Sequence, residues 1–503
     1  MKGAFRFPMI KVEGGGGESP DPAVFCPANG FIPDPEIIQI PIPIPELSED
    51  SVIFICNTEN GGSWPLNDWI TFSAVSTEFT FEVYDSIATL VYSITINSGA
   101  VELDSVISGL YGRFSVKVSG TGIAGFQRSG SYFSNPIVDY IIANIPSVVA
   151  MGSACRAMPN LKAFEFRCSL DYLENLDYSF YESSVEYFTF PNSLPALTSA
   201  SFCFGMGKLR KLDLSTVSMP LLEDIDRFVF YNPYLLEFKM PSELPSLKNA
   251  TQLIDNTPRL ITLQIFSTWP VNLTSHSNML SYSGFESDIE VPDIPDSIPY
   301  LSRIFYYSTM CKKIVFNAGH EGLNLDSTMY GMSSLEYVKM PDTTDNFNTV
   351  FDSAVTKVKT FIGPTKGYVS IPNSAVLESV TGDMETDYAS IYINLTSPQN
   401  TLHTFNCPKV PVRYFRIGGY NSYQHFSQLH SVEIDWANSS FDYTSSITNP
   451  SIRINAELDS AELNRIMTAL PTVTLLRHID IRYCPGYATC DKSIATAKGW
   501  TVL

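Results

Sequence analysis

The stretch from LKAFEF (161–166) to LITLQI (260–265) repeats one pattern, apolar-x-x-apolar-x-apolar, with intervening copies VEYFTF (185–190), LRKLDL (209–214) and LLEFKM (235–240). Successive copies start 24, 24, 26 and 25 residues apart. An apolar side chain at every second position is typical of a β-strand with one buried face. The stretch therefore predicts a series of units that each contain one short strand.

Further copies extend the pattern towards the C-terminus. They are SDIEV (287–291, weaker), CKKIVF (311–316), LEYVKM (335–340), LESVTG (377–382, degenerate), LHTFNC (402–407) and LHSVEI (429–434). Between residues 341 and 425 the copies slip out of register, and VTKVKTF (355–361) and VRYFRI (412–417) arrive off schedule. Insertions, a bend or irregular turns would each produce such a slip.

A second recurring element lies between the strand cores. It has a bulky apolar residue four to nine positions before the strand, followed by small or polar residues, as in SFCFGMGKL (201–209) and STMYGMSSL (327–335). A fixed period of roughly 20–29 residues with one strand per unit is the signature of a leucine-rich-repeat solenoid. Each unit has an apolar face that only its neighbours can cover, so stacked units bury a continuous core. We predict this solenoid for residues 136–457.

The N-terminal part has a different composition. Residues 1–47 contain GGGG (14–17) and IIQIPIPIPEL (37–47), which predict a flexible arm followed by a proline-rich connector. Alternating Ile and Pro cannot enter a helix or a central strand, so the connector should be polyproline-like or an edge strand. Residues 48–135 contain period-two apolar runs separated by turn-forming residues, which predict an antiparallel β-sandwich-like domain.

The last residues, 458–503, predict a C-terminal capping module. DSAELNRIMTALP (459–471) has apolar residues at helical spacing behind an Asp or Ser N-cap. RHIDIRY (477–483) predicts a final strand, and DKSIATAKG (491–499) predicts a short helix that ends at a glycine. The predicted fold class is therefore mainly β: an N-terminal antiparallel β-sandwich-like domain, a leucine-rich-repeat solenoid and a C-terminal cap.

Charge and hydropathy exclude two classes of partner. The chain has 52 acidic and 32 basic residues, for a formal net charge of −20, and no Lys/Arg run offsets it, so we expect no nucleic-acid binding. The most apolar long stretch, residues 137–155, is interrupted by Asp139, Asn144 and Pro146. A membrane span needs about 20 largely apolar residues, so we expect no membrane insertion. The first residues also carry no apolar segment of a secretory signal.

Motifs for catalysis, cofactors and metals give no candidate residue of any of these three kinds. GHEG (319–322) is not an HExxH site, and His425 and His430 lack the spacing to share one face of a helix or strand. The acidic pairs Glu223 with Asp224 and Asp293 with Asp296 fall in repeat turns. We interpret them as solvated turn acids, with glycosidase carboxylates as the alternative. No cofactor is expected.

The nine cysteines are scattered without CxxC pairs, which argues against a zinc site or a dense disulfide framework. Cys484 and Cys490 bracket PGYAT and are close enough in sequence to close a loop. Two interpretations stay open for this pair: a disulfide that staples the cap, or two buried thiols.

Aromatic residues near the repeat edges are the one positive signal for binding. Tyrosine suits both protein and glycan ligands, and solenoid faces often bind one or the other. For any single aromatic residue, packing in the core is the first expectation, so the pattern nominates no site. The residues concerned are Tyr178, Phe180, Tyr181, Tyr187, Phe230, Tyr231, Tyr234, Tyr306, Tyr307 and Tyr330.

The repeats at 137–455 resemble BspA-like leucine-rich repeats, a degenerate class found in bacterial surface proteins and some phage virion proteins. STMYGMSSLEYVKMPDTTDNFNTVF (327–351) carries the likeness most clearly, through its aromatic-x-small-x-Ser-Ser-Leu lead-in and its Pro-Asp turn. Residues 467–503 look like a terminal module that accompanies such repeats in Bacteroidetes bacteria and their phages, with a CPG-type turn and an ATAKGW-type end. The resemblance implies binding or structural roles, with no catalytic residues to carry over.

Surface adhesins of this class are exported, whereas a virion protein assembles in the host cytoplasm and needs no secretory signal. We therefore expect a phage virion structural protein: a tail fibre, a receptor-binding protein or another head or tail appendage. The alternative is a bacterial cell-surface or secreted adhesin. Expected partners are other virion proteins, a host surface protein or glycan, and further copies of the chain in a homo-oligomer.

Overall fold

The structure, a computed structural model, describes residues 40–60, 71–74, 78–97, 104–127, 137–320, 322–344, 350–351, 354–363, 366–367, 378–381, 391–395, 402–408, 412–417, 426–441 and 450–503. The chain divides into two units, Met1–Glu36 and Ile37–Leu503. Every described residue belongs to the second unit, and the predicted arm with GGGG (14–17) lies outside the described residues.

The N-terminal part of this unit is an antiparallel sheet. Its elements are β1 (Ser51–Asn57), β2 (Thr71–Ala74), β3 (Phe79–Tyr84), β4 (Leu90–Ile96), α1 (Asp104–Ile107), β5 (Arg113–Gly120), β6 (Ile123–Gln127) and β7 (Val138–Asn144), with a 3-10 turn at Thr58–Asn60. The strands β4, β3, β5, β1 and β7 are hydrogen-bonded in that order, and β2 pairs with β6 in a second, two-stranded sheet. The predicted antiparallel strands are confirmed.

One sheet runs across the predicted boundary between residues 135 and 136. Strand β7 pairs antiparallel with β1 on one side and parallel with β8 (Ala163–Phe166) on the other, and β9 (Tyr187–Thr189) follows β8. The change from antiparallel to parallel pairing at β7 is the start of the solenoid. The antiparallel strands therefore cover the first coil, which would otherwise leave an open sheet edge.

The proline-rich connector lies against this sheet. Ile40, Ile42 and Ile44 pack against Ile53, Ile55 and Ile142, which point to the side of the sheet opposite the main core. These alternate residues of the connector therefore lie on the sheet, and no strand is formed in this part of the connector. The polyproline-like or edge-strand conformation of the connector stays a prediction.

The solenoid is built from short parallel strands, one in each successive coil. They are β10 (Lys211–Asp213), β11 (Glu237–Lys239), β12 (Thr262–Gln264), β13 (Ile289–Val291), β14 (Lys313–Phe316), β15 (Tyr337–Lys339), β17 (Thr360–Ile362), β19 (Ser379–Thr381), β21 (Thr404–Cys407) and β23 (Val432–Ile434). Strands β10–β12 form one parallel sheet and β13, β14, β15, β17, β19, β21 and β23 another. Each lies within a strand core expected from the repeat pattern or overlaps one, so the solenoid is confirmed.

A second parallel sheet explains the later part of the slip between residues 341 and 425, whereas VTKVKTF overlaps β17 of the first sheet. From β20 (Ile391–Leu395) onwards the coils carry an additional strand, and β22 (Val412–Ile417), β24 (Ile452–Ile454), β25 (Arg477–Asp480) and β26 (Trp500–Val502) follow in that sheet. VRYFRI is β22, so it arrives off schedule because it belongs to this second sheet. A further parallel pair, β16 (Thr343–Thr344) with β18 (Lys366–Gly367), lies in the same region.

The turns on the side away from the first strand series form a backbone ladder of their own, here called the turn ladder. In one coil the N–H groups of Leu176, Tyr178, Phe180 and Glu182 donate to the carbonyls of Ser199, Ser201, Cys203 and Gly205 at 2.8–2.9 Å. The same four-rung pattern joins the coils that start at Met151, Ala200 and Ile225 to the coils that follow them. Turns and strands thus both hold neighbouring coils in register.

Asx side chains complete the turn ladder. The Oδ1 atoms of Asn175, Asp224, Asn249 and Asn324 each accept the N–H two residues further along, at 2.8–3.1 Å. These N–H groups do not take part in the ladder, so in these four turns a short Asx side chain satisfies a donor that would be left over.

Small polar residues in the core satisfy turn carbonyls. Asn232 is fully buried, and its amide donates to the carbonyls of Phe204 (2.5 Å) and Val229 (3.0 Å) while its Oδ1 accepts the N–H of Leu209 (3.2 Å). At the equivalent position of the next coil, Thr257 donates to the carbonyl of Ile254 (2.9 Å). These polar residues explain the small or polar positions that follow each bulky apolar residue in the repeat.

The cap forms as the sequence predicts. Helix α2 (Ser460–Ala469) begins behind Asp459, whose side chain accepts the N–H of Glu462 (2.8 Å), and it buries Leu463, Ile466 and Met467. The chain then forms β25, α3 (Ser493–Thr496) and β26, and Gly499 after α3 has a φ of +87°. The strand predicted as the last, in RHIDIRY, is β25; WTVL adds one more strand beside it.

Two side chains of α2 close the edge of β23. Glu462 Oε1 accepts the N–H of Val432 (3.1 Å), and Arg465 Nη2 donates to the carbonyl of Val432 (2.7 Å). Arg465 also contacts Glu433 (2.6 Å) and Glu462 (2.7 Å). A carboxylate and a guanidinium therefore replace the next strand, which protects the sheet edge from pairing with another chain.

The Asn232→Ala substitution is expected to destabilise the protein by about 2–4 kcal/mol, because two carbonyls and one N–H would stay buried without a partner. Urea denaturation followed by circular dichroism measures the change. The matched control is Asn192→Ala, since Asn192 is exposed. Equal stability of the two variants would contradict the role given to Asn232.

The Glu462→Gln substitution is expected to lower stability at pH 7, with the loss shrinking as the pH falls. Burial raises the pKa of Glu462, but hydrogen bonds from Arg465 and Val432 outweigh it, so the net pKa lies below that of an ordinary glutamate. A depressed folded-state pKa adds stability above the unfolded value of about 4.3, and that stability disappears as the pH falls through the folded pKa. Thermal melts at pH 7, 5 and 3 test this against Glu243→Gln, an exposed control; a loss that is independent of pH argues against it.

Candidate functional site

The outer face of the strands carries charges that neutralise one another. Opposite charges on neighbouring strands meet across the sheet, as cross-strand pairs do. Hydrogen bonding to Glu237 raises the pKa of Lys239, so this ammonium group stays charged. The cross-strand pairs are Glu186–Arg210 (3.0 Å), Glu237–Lys211 (3.1 Å), Asp213–Lys239 (3.2 Å) and Glu336–Lys359 (2.9 Å), and Glu237–Lys239 (2.6 Å) is a pair within β11. This face therefore presents little net charge to a partner.

The strand series is interrupted between β12 and β13. There the Ser287 hydroxyl donates to the carbonyl of Ile261 (3.1 Å) and accepts the N–H of Leu263 (3.2 Å), in place of backbone rungs. Beyond Ser287 the strands separate and leave a pocket of about 340 Å³. Its charged groups have partners already: Asp288 contacts Lys313 (3.5 Å) and Glu290 accepts from Asn317 (3.3 Å).

The turns on the opposite side carry two columns of residues with left-handed backbone. Within each turn the two residues are four positions apart, and both columns recur at intervals of 24–26 residues from coil to coil. The first column is Ser153, Tyr178, Phe202, Arg227, Gln252, Asn278, Arg303 and Ser327, and the second is Ala157, Glu182, Met206, Tyr231, Asn256, Tyr282, Tyr307 and Gly331. The left-handed bend turns these side chains away from the core.

One aromatic cluster lies on the first coils, here called the arginine-capped cluster (Arg156, Tyr178, Tyr181, Phe202 and Arg227). Tyr178 stacks on Phe202 with ring centroids 4.7 Å apart and planes at 8°. Arg156 lies 5.4 Å from the ring of Tyr178, and Arg227 lies 5.0 Å from the ring of Phe202. Each cation over a ring contributes about 0.5–1 kcal/mol at an exposed site.

A second cluster, here called the tyrosine cluster, spans three later coils (Tyr282, Arg303, Tyr306, Tyr307 and Tyr330). Tyr282 stacks on Tyr307 (5.4 Å, 7°) and Tyr306 stacks on Tyr330 (5.8 Å, 15°). Arg303 lies 5.5 Å from the ring of Tyr306. Tyr282 is 44% exposed and Tyr307 is 39% exposed, so this row of rings faces solvent.

Gly331 makes room for the tyrosine cluster. Its φ is +73°, and a Cβ at this position would lie 2.7 Å from the ring of Tyr307. Burial and the neighbouring Tyr306 and Tyr307 raise the pKa of Tyr282, so its hydroxyl stays protonated and can donate a hydrogen bond. The cluster thus offers flat apolar rings edged by phenol and guanidinium groups.

Exposed tyrosines on left-handed backbone make this cluster a candidate site. A left-handed conformation costs an ordinary L-residue roughly 1–2 kcal/mol, and only Gly, Asn and Asp adopt it readily. The second column has Asn256 and Gly331 at two of its positions but places Tyr at three others. Ala157, Glu182 and Met206 have the same left-handed backbone in other coils, so the bend belongs to the turn, and what folding does not require is an exposed tyrosine at this position.

The structure places the ten aromatic residues noted from the sequence in three groups: one is buried, three are exposed, and six are half-buried, namely Tyr178, Tyr181, Tyr187, Phe230, Tyr306 and Tyr330. The expectation that these residues pack in the core is correct for Phe180, which is 1% exposed. It is wrong for Tyr231, Tyr234 and Tyr307, which are 50%, 46% and 39% exposed. The reason for Tyr231 and Tyr307 is the left-handed column, which turns alternate aromatic residues outward. Tyr282 is not among the aromatic residues noted from the sequence, although its position in the repeat is equivalent to those of Tyr231 and Tyr307.

The acidic pairs serve as turn residues. Glu223 contacts Lys248 (2.7 Å), Asp224 holds an Asx turn, and Asp293 accepts the N–H of Ala318 (3.0 Å). His430 is exposed, with Nδ1 3.2 Å from the carbonyl of Glu457, and His425 lies outside the described residues. In the described part of the chain, no three His, Cys, Asp or Glu side chains are grouped to hold a metal ion. None of the described helices has the length and hydropathy to cross a membrane.

Cys484 and Cys490 are both free thiols in the structure. Cys484 Sγ contacts the carbonyl of Ile454 (3.3 Å), whereas Cys490 Sγ contacts the carbonyl of Tyr487 (3.4 Å). Burial raises the pKa of the Cys484 thiol to about 12, which suppresses the thiolate needed for disulfide exchange. A disulfide staple under oxidising conditions stays a prediction.

A family model described as BspA type leucine rich repeat region (6 copies) matches residues 133–252. The matched residues contain β7 to β11 and the arginine-capped cluster. This part of the chain is therefore similar to a class of repeats that suggests a surface or adhesion role. No curated protein matches the chain.

The Glu182→Asn substitution is expected to stabilise the protein by about 0.5–1 kcal/mol, because Asn tolerates the φ of +59° better than Glu does. Thermal melting measures the effect. Glu174→Asn is the control, since Glu174 is exposed and outside the left-handed columns. A loss of stability in Glu182→Asn would remove the basis for the strain argument.

Alkylation of the native protein should modify Cys490 well before Cys484, because Cys484 is 4% exposed and its pKa is about 12. Iodoacetamide labelling followed by peptide mass spectrometry gives the order. Simultaneous labelling of both cysteines would show that the cap opens. Protection of both, reversed by a reductant, would instead reveal a disulfide.

Proposed function

We propose that the solenoid is a non-enzymatic binding module that holds a protein or glycan surface against its tyrosine cluster. The observation that carries this proposal is the row of stacked, solvent-facing rings at Tyr282 and Tyr307, kept in left-handed backbone at a cost to folding. Aromatic rings edged by hydroxyl and guanidinium groups suit sugar faces and protein hot spots alike.

The test uses substitutions that remove the aromatic rings without adding backbone strain. In Tyr282→Asn and Tyr307→Asn the new side chain is suited to positive φ, so binding should fall at least tenfold while the melting temperature holds or rises. Tyr234→Asn is the matched control, because Tyr234 is exposed and lies outside the cluster. Binding is measured with fluorescently labelled variants on a panel of Bacteroidetes cells. Periodate treatment of the cells should abolish binding to a glycan ligand, and protease treatment should abolish binding to a protein ligand.

Unchanged cell binding by both Tyr282→Asn and Tyr307→Asn, with normal melting curves, would contradict the proposed site. Binding lost in all three variants would also contradict it, because the control would then matter as much as the cluster.

As the biological setting we propose a phage virion, in which the chain is a tail fibre, receptor-binding protein or other appendage. The support is the resemblance of residues 467–503 to a terminal module found in Bacteroidetes phages. The N-terminal part would then attach to other virion proteins, with the solenoid outward. Mass spectrometry of purified particles, and electron microscopy with a label on the C-terminal cap, test this; a cap buried against the particle would overturn the polarity.

The second candidate setting is a bacterial cell surface. The match of residues 133–252 to the BspA type repeat favours it, since this class suggests adhesion. Both settings use the same binding face. Detection of the chain in the surface fraction of cells that carry no phage would decide for the adhesin.

A further inference from the structure

The pocket between β12 and β13, here called the split-sheet pocket, has polar backbone groups in its walls. Gln264 directs its carbonyl to the N–H of Met240 in the preceding coil (2.9 Å). Because backbone groups alternate along a strand, the carbonyl of Leu263 and the N–H of Ile265 face β13 instead. No hydrogen bond among the described residues uses either group, and both residues line the pocket. The β12 wall therefore presents one acceptor beside one donor.

Glu290 brings the same two kinds of group to the opposite wall. Val291 accepts the N–H of Asn317 at the end of β14 (3.0 Å), so the N–H and the carbonyl of Glu290 face β12. Among the described strands, β13 is hydrogen-bonded to β14 alone. The buried side chains of Phe266 and Ile289 also line the pocket. It thus combines an apolar surface with backbone donors and acceptors on both sides.

One rung of the split is already bridged by a hydroxyl group of the protein. Ser287 Oγ accepts the N–H of Leu263 (3.2 Å) and donates to the carbonyl of Ile261 (3.1 Å). The carbonyl of Leu263 and the N–H of Ile265 repeat this arrangement one rung further along the same edge. A hydroxyl is both a donor and an acceptor, so a second hydroxyl placed as that of Ser287 is would satisfy both groups.

The two coils are held together on either side of the pocket. In the turn ladder the N–H of Ile254 donates to the carbonyl of Met279 (3.1 Å), and beyond the pocket the indole of Trp269 donates to the carbonyl of Pro292 (3.2 Å). A whole inserted strand would need its neighbours at about twice the usual strand spacing of about 4.8 Å. These bonds oppose such a separation, so the pocket suits a compact ligand and not an extended peptide.

The charges of the pocket disfavour an anion. Asp288 and Glu290 are the charged residues among those that line it, and both are acidic. Lys313, outside the lining, is engaged by Asp288 (3.5 Å). A carboxylate or phosphate in the pocket would therefore be repelled. The volume of about 340 Å³ lies at the lower end of the range of about 300–1,000 Å³ that is typical of small-molecule sites.

We propose that the split-sheet pocket binds an uncharged sugar residue, with one ring hydroxyl between the carbonyl of Leu263 and the N–H of Ile265. A sugar carries several hydroxyl groups on a compact ring, so a neighbouring hydroxyl bonds to the backbone of Glu290 across the pocket. The pocket lies among the strands, whereas the tyrosine cluster lies among the turns. The inference therefore does not rest on the ligand of the tyrosine cluster.

Hydrogen exchange of the natural protein tests this contact at single amides, read by mass spectrometry with electron-transfer fragmentation. Glucose, galactose, mannose and N-acetylglucosamine are added singly at tens of millimolar, with glucuronic acid as the charged counterpart. At least one neutral sugar should slow exchange of the Ile265 amide at least threefold, because its hydroxyl replaces water as the acceptor. The amide of Met240, which already bonds to Gln264, should not change. Glucuronic acid should protect neither amide.

Gln264→Phe tests the position of the sugar, because Gln264 lines the pocket from an exposed strand position where an aromatic ring is tolerated. The ring should cover the pocket and abolish the protection of Ile265, with an unchanged melting temperature. Thr189→Phe is the matched control, since Thr189 is the exposed residue after the buried centre of its own strand, as Gln264 is in β12. This control should keep the protection.

Three results would overturn the proposal. The first is an Ile265 amide that none of the four neutral sugars protects. The second is protection that persists in Gln264→Phe or is lost in Thr189→Phe as well. The third is protection of Ile265 by acetyl-trialanine amide and by none of the sugars, which would identify a peptide site.

Discussion

The hydrogen bonds between successive turns are the constraint on which this structure depends. The strands of the solenoid are only three or four residues long over most of its length, and too short to hold a stack in register alone. The turn ladder adds four backbone hydrogen bonds between neighbouring coils, as from Leu176 to Glu182. It therefore fixes the spacing of the left-handed residues at 24–26 residues from coil to coil. Asn232 and Thr257 satisfy carbonyls inside the coil that this geometry would leave unpaired.

The same constraint determines which side chains of the turns face solvent. A turn that must bend to the left at two positions directs those side chains outward, whatever their hydropathy. At Asn256 and Gly331 the residue suits the bend, whereas at Tyr282 and Tyr307 it does not. The strand face, by contrast, is neutralised by its own cross-strand pairs, such as Glu186 with Arg210. The tyrosine cluster is therefore a part of the solenoid whose exposed aromatic chemistry folding does not require.

The sequence was sufficient for the parts of the fold that depend on a hydrophobic period. LKAFEF to LITLQI, and the helix behind Asp459, form as their spacing predicts. VRYFRI could not be placed, because a second parallel sheet follows from how coils pack and leaves no separate period in the chain. The shared sheet at β7 was not foreseen either, since pairing between distant strands has no local signal.

The site was harder to predict than the fold. Tyr231 and Tyr307 look like core residues because they stand beside buried ones, and only the sign of φ turns them outward. Aligning the repeats on N-x-D in NLD (175–177) and NLD (324–326), instead of on the strands, would have placed both columns.

Native-state hydrogen exchange tests the central claim most directly. If the turn ladder holds the coils together, the amides of Phe180, Phe204 and Val229 exchange as slowly as those of the strands, because their N–H groups bond to the next coil at 2.8–3.0 Å. Rapid exchange at these turn amides beside protected strand amides would contradict the account, since the left-handed columns and the tyrosine cluster would then have no fixed scaffold.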